Sequence, residues 1–134
     1  KTYWLMRKLL LIVTPFFFNT LLHSQNFEGA TFKLKTENQI STITFEDDNS
    51  DGYYLDGQFI KSFGRVSFTK SELDGFFVNL KKISKKSEAT ITTEKYTLDK
   101  YDWDSTKSTY ITVGEKIGEM SKAEVKKLLK LKNI

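Results

Sequence analysis

The chain has 134 residues, 39% hydrophobic and 28% charged, enough for one domain with its own core and too polar for a membrane-embedded bundle. It has no cysteine and one histidine, His23, which excludes disulfide staples, thiol nucleophiles and Cys-ligated metals. The formal net charge is +4, but Lys1, Arg7 and Lys8 fall in the first 25 residues with no acid beside them, so the remainder holds 18 basic and 17 acidic residues, a balance that gives no electrostatic reason to expect nucleic acid.

Those first residues have the organisation of a secretory signal peptide. Arg7 and Lys8 form a positive start. Residues 9–22 form an apolar run broken by Thr14, Pro15, Asn19 and Thr20, and His23-Ser24-Gln25 reads as a cleavage region. The apolar run falls short of the roughly 20 residues of a confident membrane span; an uncleaved N-terminal anchor is the alternative. Met6 resembles an initiator, which makes residues 1–5 upstream or non-native. The expectation is a leader over 1–25, a single domain over 26–134, export to the periplasm or exterior, and no stable membrane span after cleavage. His23 then leaves with the leader, and His-dependent catalysis, zinc sites and haem ligation leave with it.

Residues 29–35 alternate apolar and polar, as a half-buried strand does, and 40–45 is rich in β-branched residues, with 37–39 as the turn between them. Residues 47–52 read D-D-N-S-D-G, a polar turn. Two short strands, 53–55 and 58–60, flank Asp56-Gly57, a pair suited to a tight two-residue hairpin or to a bulge at Gly57 within one longer strand. Adjacent Tyr53 and Tyr54 should then point one in and one out. Residues 65–68 are a strand leading into the best helix signal in the chain.

In that helix Leu73, Phe76, Phe77, Leu80 and Ile83 recur at helical spacing and form one apolar stripe. Thr69 and Glu72 form a capping box, and Phe68 with Leu73 a hydrophobic staple. Gly75 weakens the helix by about 1 kcal/mol relative to Ala. Strands come next over 89–93 and 95–98, then a polar segment over 99–107, a strand over 109–113, and a turn or very short strand near Lys116-Ile117. A second helix runs from Lys122 to about Lys130. Residues 120–129 align without a gap on 68–77: Ser121 matches Thr69, Glu124 matches Glu72, and Val125, Leu128 and Leu129 match Leu73, Phe76 and Phe77. This echo reads either as two degenerate strand–helix repeats, 30–86 and 88–132, or as two helices that share the commonest start signal. The resulting expectation is an α+β fold with a single antiparallel sheet of short strands, two helices packed on one face in the order strands–helix–strands–helix, and a signal-peptide helix in front.

Two stretches invite a functional reading. In the 47–52 turn, Asp47, Asn49 and Asp51 match the first half of a calcium loop, with Gly52 at its sharp bend. Position twelve is Gln58 and not a bidentate Glu, and the flanks are strands, so turn chemistry alone also explains the composition. Calcium is the only cofactor the sequence raises. The second stretch interleaves Tyr96, Tyr101, Trp103 and Tyr110 with Asp99, Asp102 and Asp104. Tyr and Trp are common anchors of binding surfaces, which makes Tyr101, Trp103, Asp102 and Asp104 a candidate surface for a protein or glycan. The favoured alternative has Trp103 plugging the end of the core, because the second half is short of large apolar groups. The lysines of both helices read as solvated faces. With no focal catalytic motif, the leading expectation is a small, exported, non-catalytic binding module for a protein or other extracellular ligand. A carboxylate-dependent hydrolase and a calcium-stabilised structural domain are the alternatives.

Overall fold

The computed structural model of the chain describes residues 26–48 and 53–132. The expected leader lies outside the described residues, as do Asn49, Asp51 and Gly52. The described chain runs β1 (Phe27–Glu28), β2 (Phe32–Glu37), β3 (Ile40–Glu46), β4 (Tyr53–Leu55), β5 (Gln58–Ile60), β6 (Phe63–Phe68), α1 (Lys70–Ser84), β7 (Ala89–Thr92), β8 (Thr97–Lys100), β9 (Thr109–Val113), β10 (Lys116–Met120) and α2 (Lys122–Lys132).

These strands form two four-stranded antiparallel sheets, β1-β2-β3-β6 and β7-β8-β9-β10, and a separate β4–β5 hairpin. The expected α+β fold, one sheet with both helices on one face, is therefore incorrect. Strands take 44% of the described residues against 25% for helices, and the fold is mostly β with three sheets. Alternation along a strand fixes which residues face inward. It does not say into which sheet a strand goes, and here α1 separates β6 from β7 so that β7 starts a new sheet. Each half nonetheless has one plan: a four-stranded meander whose last strand runs into a helix. The last strands meet at the centre, with β10 against β3 and β6, and β6 against β9.

Local chemistry explains the turns and helix starts. Asn38 and Gln39 (φ 50° and 66°) and Asp56 and Gly57 (φ 50° and 79°) all lie in the left-handed region, as a two-residue turn joining right-twisted strands demands. Thr69 Oγ1 accepts from the Glu72 N–H at 3.4 Å while Glu72 Oε1 accepts from the Thr69 N–H at 2.9 Å. Ser121 Oγ accepts from the Glu124 N–H at 3.1 Å, and Glu124 Oε1 from the Ser121 N–H at 3.2 Å. Both capping boxes are thus formed. Tyr53 and Tyr54 correct the expectation of one in and one out: both are exposed. Among the described residues their hairpin stays largely uncovered, and Tyr54 meets Phe59 edge-on across the pair, ring centres 5.4 Å apart.

The core is continuous. Phe32, Leu34, Ile43, Phe45, Val66 and Phe68 come from the first sheet, Leu98, Ile111 and Met120 from the second, and Leu73, Phe76, Phe77, Leu80, Ile83, Val125 and Leu128 from the helices. Helix α1 touches β3 and β6 of one sheet and β7 and β8 of the other, so its stripe closes the seam between them. Phe45 lies where the two sheets meet. It pairs with Gly64 on β6 in its own sheet, and Gly118 of β10 presents bare backbone to the same ring from the other sheet.

A methyl group at Gly64 or Gly118 would overlap Phe45 ring atoms, whereas one at Gly75 meets nothing within 4 Å. Gly118→Ala is expected to destabilise the domain by about 1–3 kcal/mol through overpacking, and Gly75→Ala to stabilise it by up to about 1 kcal/mol through helix propensity. Urea unfolding of the two variants beside the parent checks both signs.

Candidate functional site

The outward face of the second sheet carries most of the unusual side chains. Thr90, Asp99, Tyr110 and Glu119 are successive cross-strand partners from β7 to β10, and directly opposed residues share a face. Thr90 Oγ1 donates to Asp99 Oδ1 at 2.6 Å. The 101–108 loop folds over this row. Asp104 is its hub, only 6% exposed. Its Oδ1 accepts from the Thr106 N–H at 3.0 Å and the Thr106 hydroxyl at 2.6 Å, and its Oδ2 accepts from the Tyr110 hydroxyl at 2.9 Å. Ser108 donates to Glu119 Oε1 at 2.7 Å and touches the Thr106 hydroxyl at 2.9 Å. A polar chain therefore runs from Asp104 to Glu119.

That scaffold displays the aromatic residues. The Tyr101 and Trp103 rings are stacked, centres 5.2 Å apart and 18° from parallel, and Tyr101 leans on Tyr110 at 5.6 Å. Trp103 is 77% exposed. The favoured expectation that it plugs the core is overturned: Leu98, Ile111 and Met120 fill that space from the strands, and the loop is closed by hydrogen bonds to Asp104. Of the residues singled out with Trp103, Asp102 is exposed beside it, whereas Asp104 faces inward and holds the loop.

The acidic turn reaches the same face from the other side. Asp47 is 4% exposed; its Oδ1 accepts from the Ile117 N–H at 3.2 Å, and its Oδ2 lies 3.6 Å from the Lys116 ammonium. It ties the end of β3 to β10 through both carboxylate oxygens. Asn49 and Asp51 lie outside the described residues. Among the described residues no three Asp, Glu, His or Cys side chains gather closely enough to hold a metal ion. The Asp48 N–H donates to Ile117 O at 2.8 Å, which brings the Asp48 carboxyl towards Glu119. Loss of water, then the Glu119 charge, raise its pKa above the ordinary carboxylate value. Hydrogen bonds from Thr106 hold Asp104 below that value. Burial, the bond to Asp104 and the charges of Glu119, Asp104 and Asp48 push the Tyr110 phenol up to about 12. Burial and Asp99 also raise Tyr101. Sequence reasoning missed Asp48 and Glu119, which only the meeting of β3 with β10 brings together.

A second hollow, about 280 Å³, lies beside α1 between Phe68, Glu72, Asn79, Lys95 and Tyr96. Its polar groups already satisfy one another: Lys95 donates to Glu72 at 3.0 Å and Ser67 O at 2.8 Å, and Asn79 Nδ2 to the Tyr96 hydroxyl at 3.0 Å. The aromatic face leaves its largest ring free and is the better candidate.

The raised Tyr110 phenol makes stability depend on high pH. Its proton is held in the native state up to about 12 but is lost from the ordinary value of 10 in the unfolded chain, so its contribution is complete below pH 10 and falls away between pH 10 and 12. Urea midpoints at pH 9 and pH 11 should differ less in Tyr110→Phe than in the parent. The chain matches no family model, no curated protein and no solved structure.

Proposed function

We propose that the protein is an exported, non-catalytic binding module that holds a saccharide on the Tyr101–Trp103 platform. One observation carries this reading: Trp103 is largely exposed yet stacked on Tyr101, and Tyr101 is braced by Tyr110. A large apolar ring kept in water on a braced support is already in its binding geometry, so little ordering entropy is lost when a ligand lands. A flat ring pair suits the C–H face of a sugar, while Asp102 and Asp99 nearby offer acceptors for its hydroxyls.

A second reading, carboxylate-dependent hydrolysis, is supported by Asp48 and Glu119. Loss of water and the neighbouring Glu119 charge raise the Asp48 pKa, and a glycosidase likewise works with two carboxyl groups. Glycan hydrolysis that Asp48→Asn abolishes, with binding retained, would establish it.

Titration with a panel of neutral oligosaccharides should shift and quench Trp103 emission. Trp103→Phe identifies the signal, because Trp4 is the only other tryptophan. Trp103→Ala should weaken binding by at least about tenfold with stability changed by less than about 0.5 kcal/mol, as for an exposed position. Emission that no saccharide alters, or affinity that survives Trp103→Ala, defeats the proposal.

A further inference from the structure

The inward face of the same sheet poses a different electrostatic problem. Lys100 follows Asp99 on β8 and so points to the opposite side, where it is only 9% exposed. Its ammonium donates to Ser84 O, at the C-terminus of α1, at 3.2 Å, and it forms no ion pair with any described residue. A cavity of about 130 Å³ opens beside it. Lys100, Lys107, Lys122 and Lys126 line it together with Ser84, Thr109 and the apolar Val125 and Leu129, and its lining contains no acid.

The negative end of α1 accounts for one ammonium at this place. The other three, Lys107, Lys122 and Lys126, are exposed at the rim and face no acid in the lining. A buried ammonium is unfavourable without a counter-charge. Lys122 and Lys126 stand one turn apart on α2, a like-charge spacing that destabilises a helix. Lys122 is also the first residue of that helix, where the dipole is positive and a cation is disfavoured. Lys107 is brought to the rim by a backbone at φ 57°, a left-handed conformation that a side chain of its size seldom adopts. The burial of Lys100 and the crowded charges of Lys122 and Lys126 are both relieved by the same thing, a negative charge in the cavity. A space of about 130 Å³ is roomy enough for one tetrahedral oxyanion.

We infer that this cavity is an anion site for a divalent phosphate group, free or as a monoester, held by Lys100, Lys107, Lys122 and Lys126. Two charges and several acceptor oxygens match four ammonium groups better than a single carboxylate does, and lysine binds phosphate as a point charge without demanding a planar geometry. The site lies across the sheet from the aromatic platform and does not depend on its function.

Isothermal titration of the full chain with inorganic phosphate, and separately with glycerol 3-phosphate, tests this at constant ionic strength set with chloride. Saturable binding with a Kd below about 1 mM is expected, weakened about tenfold by Lys126→Ala and by Lys122→Ala, each the loss of about one charge-assisted contact. Both positions are exposed on the helix, so these variants should fold even if Lys100→Met does not. Tighter binding of the ester assigns the site to a phosphorylated ligand, and equal or weaker binding assigns it to free phosphate. No saturable heat from either compound at about 10 mM, an order of magnitude above the expected Kd, or binding undiminished in the Lys122→Ala/Lys126→Ala double variant, overturns the inference.

Discussion

Phe45 and the two glycines it rests against set the geometry of the whole domain. Gly64 lies opposite it within the first sheet, and Gly118 meets the ring from the second. Protein interiors are packed at near-crystalline density, so a side chain at either position would force the sheets apart. The contacts made by the next residues depend on that closeness. Asp47, two residues beyond Phe45, reaches the Ile117 N–H of β10 and the Lys116 ammonium. Lys116 also bonds the Ser62 hydroxyl that precedes β6. Asp48 comes next and is carried to Glu119. The acidic face is thus a consequence of how tightly one ring is seated.

The second sheet then separates two chemistries across the thickness of a single layer. On β8 and β9 the outward residues Asp99 and Tyr110 belong to the acidic, aromatic face, and the inward residues Lys100 and Thr109 border the lysine-lined cavity. Neighbours in sequence therefore serve opposite surfaces, as the two-residue period of a strand dictates. The near-neutral charge of residues 26–134 conceals this division, because the acids and the lysines cancel in the sum while remaining apart in space.

How much of this is legible in the sequence depends on the range of the interaction. Thr69 with Glu72, Ser121 with Glu124, and Asp56-Gly57 act within a few residues, and all three form as their chemistry requires. The helix stripe from Leu73 to Ile83 is equally legible, since helical spacing fixes its direction. The division into two sheets is not, because hydrophobic alternation is the same whichever sheet a strand joins. Residues 99–107 have the composition of one polar segment, which hides the strand ending at Lys100 and with it the inward lysine. The shortage of large apolar groups in the second half assigns Trp103 to the core, and no local rule reveals that Asp104 gathers Thr106 and Tyr110 into a support for its neighbours. Asp48 and Glu119 meet only through tertiary structure.

The reach of Phe45 also orders events in time. Strand neighbours within each meander are close in sequence, and β3 joins β6 across residues 47–62, which include the β4–β5 hairpin, so each half can close quickly from local contacts. Synthesis proceeds from the N-terminus, and the first meander is complete while Gly118 has yet to be made. A nascent chain that ends before β10 therefore lacks both the Gly118 backbone against that ring and the Ile117 amide for Asp47.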